Sequence, residues 1–233
     1  MCKYIWATAK LNLRTIESAY WSAWATAGVF LVQAIVFAIL TANGVNMGGE
    51  GLSIGNYLWL LPAVAAIQIP AYNYRRIMNL GAKRDNFFWG SLWCYAIIAA
   101  VVSLVNTLMY YFVDSFMNRN EYFSNVLNAV EGMGWAENGV LAVFFQQFAF
   151  LLLLAVFIHT LVAVQGKWYG WATNVAIIAI ISVFTPIAPL RAVLAGFFYL
   201  IIFANPFLQV MACLVLAAGV YGLNVIVFAR KAI

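Results

Sequence analysis

Residues 72–88 read Tyr72-Asn73-Tyr74-Arg75-Arg76-Ile77-Met78-Asn79-Leu80-Gly81-Ala82-Lys83-Arg84-Asp85-Asn86-Phe87-Phe88, a polar and basic island between two long apolar runs. Arg75, Arg76, Lys83 and Arg84 crowd together here, and such a cluster beside a spanning helix marks the cytoplasmic side, because cationic loops are retained inside. This reading orients every other segment. Ile77, Met78 and Leu80 sit among the charges, and Gly81 supplies a left-handed residue that can close a short helix. The stretch predicts a small helix outside the bilayer, with an apolar patch and a basic rim, shaped to touch another protein.

Composition agrees. Of 233 residues, 66% are hydrophobic and 8% charged, with mean hydropathy +0.94, against about 45–50% apolar and about 25% charged for a soluble domain. The expectation is an all-α integral membrane protein. Aromatic residues gather at the ends of apolar runs, as in Tyr20, Trp21 and Trp24, or Trp168, Tyr169 and Trp171, the pattern of an interfacial belt. The net charge of +5 lies in short loops beside apolar runs rather than on one soluble face, which argues against nucleic acid as a partner and for membrane lipids. Cys94 and Cys213 fall inside apolar runs and Cys2 is terminal, so spacing gives neither a disulfide framework nor a metal motif.

Working outward, residues 1–20 alternate apolar and polar groups in a helical rhythm (Tyr4, Ile5, Ala7, Leu11 against Lys3, Lys10, Asn12, Arg14, Glu17) and predict a basic interfacial helix on the cytoplasmic surface. The first apolar run begins past a normal leader and is long enough to span, so it is expected to remain in the mature chain. Six spans are predicted, at 22–42, 54–72, 88–112, 139–165, 171–184 and 207–228. Pro62 and Pro70 are expected to bend the second rather than end it. Residues 73–87 form the inner loop. Residues 113–138 form an acidic outer segment in which Phe123, Val126, Leu127 and Val130 recur at helical spacing. Residues 185–206 hold Pro186, Pro189 and a 13-residue apolar stretch, Ala192 to Ala204, too short for a span of about 20 residues, and predict an outer re-entrant hairpin before span six. Six spans place Arg230 and Lys231 inside with the N-terminus, so both termini are expected in the cytoplasm.

Catalytic groups are missing from the pattern. There is one histidine, no His-Glu-x-x-His helix, no pair of intramembrane carboxylates and no supported Ser-His arrangement. No Asp, Glu, Lys or Arg falls within the six spans as drawn, which leaves His159 as the sole candidate proton site for an ion-coupled carrier. Gln33, Gln68, Asn106, Gln146, Gln147 and His159 are the polar residues that either line a substrate path or hydrogen-bond helices together. Any driving energy then has to come from a partner.

The order of parts resembles the membrane-spanning subunit of an ATP-binding cassette (ABC) exporter of the type-2 permease family. In that family the inner loop reads as an Arg-containing helix, then Leu-Gly, a basic residue, and aromatics opening the third span; here Arg75, Arg76, Ile77, Met78, Leu80, Gly81, Lys83, Arg84, Phe87 and Phe88 occupy those places. The resemblance implies that Arg75 to Phe87 form a coupling helix docking into a cytoplasmic ATPase subunit. ATP and Mg would sit on that partner, since no Gly-x-x-x-x-Gly-Lys-Ser/Thr loop occurs in this chain. It further implies a second permease half, identical or related, a bacterial plasma membrane, and an amphipathic or hydrophobic substrate (peptide, lipid or drug) moved outward. A membrane scaffold or sensor using the same basic loop to dock a cytoplasmic protein is the competing reading, and a secondary transporter built on His159 the third.

Overall fold

The computed structural model describes residues 2–16, 51–115, 126–165 and 168–229, with separate positions between 20 and 43. Most of the predicted first span 22–42, Gln33 included, most of the following outer loop, residues 116–125, Lys167, Arg230 and Lys231 lie outside the described residues. The described chain is mostly helical, built around apolar runs too long for anything but helices or barrels to satisfy in hydrocarbon.

Helix α1 (Cys2–Thr15) carries Arg14 in its last turn, where a cation suits the dipole. Its Thr8, Ala9, Asn12 and Ile16 side are buried. A two-residue strand β1 (Gly51–Leu52) leads to the short helix α2 (Ile54–Tyr57) and to α3 (Leu60–Gln68). Pro62 sits in the first turn of α3, where its missing N–H costs no bond. Pro70 falls in a π-helical segment, Ile69–Asn73, which takes up the donor it lacks without ending the helical run. Helix α4 (Tyr74–Asn79) follows directly.

Helix α5 (Arg84–Leu108) starts four residues before the predicted boundary of the third span and continues as a π segment, Met109–Asp114. The physical reason is local: Lys83 is extended, and Asp85 in the first turn complements the helix N-terminus. Arg84 and Phe87, assigned from sequence to the inner loop, belong to this helix.

The outer segment also differs from expectation. Val126 and Leu127 are extended as β2, pairing in parallel with β1 (Gly51 opposite Val126), and helix begins only at α6 (Ala129–Gly132). Asn128 sets that boundary by accepting the Val130 N–H with its own carboxamide oxygen, 3.0 Å. A 3₁₀ turn, Ala136–Asn138, and Gly139 at φ +83° then open α7 (Val140–Val164).

Helix α8 (Trp168–Phe184) is followed by a sharp bend of 117° into α9 (Ala188–Ile202). Helix α10 (Pro206–Ala229) begins with Asn205 accepting the Phe207 N–H at 3.1 Å and proline at the first position. Among the described residues three helical runs are long and apolar enough to cross a membrane, Arg84–Asp114, Val140–Val164 and Pro206–Asn224, and a fourth if the bent α8–α9 pair counts as one. By length α8 and α9 each fall short of a span, at about 26 Å and 22 Å against a hydrocarbon core of about 30 Å.

Helix α7 is the hub, packing against α10, α5 and α3, while α1 lies along α5. The approach of α1 is close at Gly90, where an added Cβ would stand 2.8 Å from Thr8 Cβ and 3.1 Å from the Ile5 carbonyl. Overpacking such a contact costs about 1–3 kcal/mol. Gly90→Leu is therefore expected to lower the detergent melting temperature and expose Lys10 and Arg14 to trypsin. Gly219→Leu, at a position with open space, should leave both readouts unchanged.

Candidate functional site

The basic turn is held rigidly from beneath. Ile77, Met78 and Phe87 are buried, with Tyr74 edge-on to Phe87 at 5.2 Å between ring centres. The chain reverses through Gly81 at φ +81°, with Ala82 N–H donating to the Ile77 carbonyl (3.3 Å) and Gly81 N–H to that of Met78 (2.9 Å). That pair of bonds is a Schellman closure, and the left-handed residue is one only glycine adopts freely. Arg75, Arg76, Lys83 and Arg84 are exposed, as is Leu80 at 71%. The apolar patch expected from Ile77, Met78 and Leu80 is thus divided: the first two anchor the turn, and Leu80 alone is presented among the cations. Their spacing explains it, since Ile77 and Met78 follow Tyr74 by one turn and share its inward face.

Helix α1 completes this end of the bundle. Asn12 donates to Ser91 Oγ (3.3 Å) and accepts from Asn73 Nδ2 (3.1 Å), a buried chain linking α1, the π segment before α4, and α5. A cleft of about 700 Å³ separates α1 from the turn, with Tyr4, Ala7 and Leu11 on one wall and Leu80, Ala82 and Lys83 on the other.

A second polar group lies within the bundle. Tyr95 Oη and His159 Nδ1 are 2.6 Å apart, joining α5 to α7. The His159 ring also packs on Tyr221 of α10, whose hydroxyl donates to the Phe88 carbonyl at 2.7 Å. One turn away, Asn224 Nδ2 donates to Thr160 Oγ1 at 2.8 Å.

The third group closes the opposite end. Asn106 Nδ2 donates to Gln147 Oε1 (2.8 Å), and Gln147 Nε2 to Thr107 Oγ1 (3.0 Å). Asn128 Nδ2 lies 2.7 Å from Asp114 Oδ2, 3.1 Å from Ser53 Oγ and 3.3 Å from Asn106 Oδ1. Asn56 accepts from the Ala129 N–H and donates to the Leu127 carbonyl. Gly55 exists for this junction, because a Cβ there would land on the Asn106 carboxamide. Trp135, buried against Trp59 and Phe150, donates its indole N–H to the Ile202 carbonyl at 2.6 Å.

Of the polar span residues singled out from sequence, Asn106 and Gln147 bond each other, Gln146 accepts from Asn138 at 3.2 Å, and His159 meets Tyr95. All four are buried, and Gln68 is half-buried on α3. The structure does not gather the five into one path. It adds Asn12, Asn73, Ser91, Tyr95, Ser53 and Asn128, whose only trace in the sequence is a small polar or phenolic side chain among apolar helical neighbours. Among the described residues no three His, Cys, Asp or Glu side chains gather to hold a metal ion.

Interhelical hydrogen bonds in membranes average about 0.6 and reach about 1.7 kcal/mol. Tyr95→Phe should cost near the lower figure, and Asn106→Ala, which breaks bonds to both Gln147 and Asn128, near the upper. Reversible unfolding in mixed micelles measures both. No family model, curated protein or solved structure matches the chain, so function has to be argued from these three groups.

Proposed function

We propose that the chain is the permease half of an ATP-driven ABC exporter of the type-2 kind, with six spans, cytoplasmic termini and a plasma-membrane location. The observation that carries this reading is the rigid basic turn: Arg75, Arg76, Leu80 and Lys83 stand exposed on a platform anchored by Ile77, Met78 and Phe87. A force transmitter needs that combination, an exposed contact surface on an inflexible base joined directly to membrane helices. Here α4 continues from α3 through the π segment, and only four residues, 80–83, separate α4 from α5, so a push on the turn moves two apolar helices together.

In this mechanism a cytoplasmic ATPase subunit, carrying ATP and Mg, receives the turn in a groove. Its closure tilts α3 and α5, and a pathway between two permease halves opens outward for an amphipathic or hydrophobic substrate. The chain's own contribution is mechanical. A membrane scaffold or sensor is the second reading, and one observation favours it: Asn106 and Gln147 bond each other, and His159 meets Tyr95, within one chain, so a single copy offers these side chains little freedom to line a path. The exporter reading answers by placing the path between copies.

The test is a mild-detergent pull-down of the tagged chain from its native membranes with co-purifying proteins identified by mass spectrometry. Stoichiometric recovery of a subunit bearing a phosphate-binding loop is expected. Truncating or reversing a central contact of such a surface costs enough to weaken binding about tenfold or more. Leu80→Asp and Arg76→Glu, both exposed, should therefore lose the partner while the permease still inserts; recovery of the chain alone from several gentle detergents would sink the exporter.

A further inference from the structure

Helix α1 has a third face. Thr8, Ala9, Asn12 and Ile16 are buried and Tyr4, Ala7 and Leu11 wall the cleft toward the turn, which leaves Lys10 and Arg14, one turn apart and exposed, on a third side together with the exposed Lys3 and Trp6. That side is hollow. A cavity of about 910 Å³ is lined by Lys10, Leu13, Arg14, Tyr20, Trp21 and Trp24.

We propose that this cavity binds an anionic phospholipid, its phosphate held between Lys10 and Arg14 and its glycerol and upper acyl carbons laid against Leu13, Trp21 and Trp24. Two observations converge on an amphiphile with a negative head. The helix that carries the two cations is fixed by protein contacts at Asn12, Ser91 and Gly90. The remaining walls are apolar and aromatic: a soluble anion would leave them wet, whereas indole rings suit the depth where headgroups meet acyl chains. The inference requires only that α1 lies at a membrane surface and stands apart from the exporter reading.

The test uses the full chain, stripped of lipid in mild detergent and titrated with phosphatidylglycerol, phosphatidylcholine of the same acyl chains, or glycerol 3-phosphate, with bound species counted by native mass spectrometry. Preferential retention of phosphatidylglycerol is expected. Each basic residue at an anionic surface contributes about fivefold, so Lys10→Gln with Arg14→Gln should reduce retention about 25-fold. Lys10→Arg should preserve it, and so should Lys3→Gln, an exposed cation outside the cavity. Equal retention of the two lipids, an unchanged double variant, or an equal loss in Lys3→Gln would overturn the proposal. Glycerol 3-phosphate binding as tightly as the whole lipid would do so too, assigning the cavity to a soluble anion.

Discussion

Hydrogen bonds between α5 and α7 set the register of everything else. Asn106 meets Gln147 near one end and Tyr95 meets His159 near the other, about three helical turns apart along both antiparallel helices. A slide of one helix past the other by a single turn would strand four polar side chains in hydrocarbon, where an unpaired group costs several kcal/mol. Apolar packing alone could not give this precision, because lipid tails are as good a neighbour to leucine as another helix is. Cores in water are located by what they exclude; this bundle is located by its few polar side chains.

The same bonds show what the buried polar side chains are occupied with in this molecule. Asn106, Gln147 and His159 are engaged in aligning helices, and Gln146 extends the arrangement outward to Asn138. At the other end Asn12, Asn73 and Ser91 serve the same purpose for α1. Function has to use surfaces left over from that alignment, and the described residues offer two kinds at the α1 end of the bundle: the exposed turn around Leu80, and the faces of α1 turned away from α5. Under the exporter reading, both ATPase docking and lipid contact therefore converge on one end, where a single short helix borders each.

How much of this was legible in the sequence depended on distance along the chain. The apolar runs 139–165 and 207–228 emerge as Val140–Val164 and Pro206–Ala229, because hydropathy is local and helices are the cheap solution to it. The Leu80-Gly81 turn was readable for the same reason. What was not readable was partnership across the chain. Nothing near Asn128 announces that its carboxamide will face Asp114, Ser53 and Asn106, and that obligation keeps Val126 and Leu127 extended where their spacing reads as helix. Likewise, Ile77 and Met78 look like a docking patch until Phe87 and Tyr74 claim them. Residue type showed that the span polar groups mattered; only the fold showed to whom each was joined.

The α8–α9 hairpin stands apart from this scheme. Within it only Gly170 and Ile201 are buried, and among the described residues Trp135 ties it to the 126–138 segment by its bond to Ile202. Both its arms are shorter than the bilayer core, while α5, α7 and α10 are long enough to cross. Hydrophobic mismatch, which costs fractions of a kcal/mol per ångström, therefore bears on an element whose side chains are mostly unburied. In a bilayer, thickness would then become an input to the protein: a thinner or thicker membrane would act on this hairpin, and the Trp135 bond would pass that strain to residues 126–138.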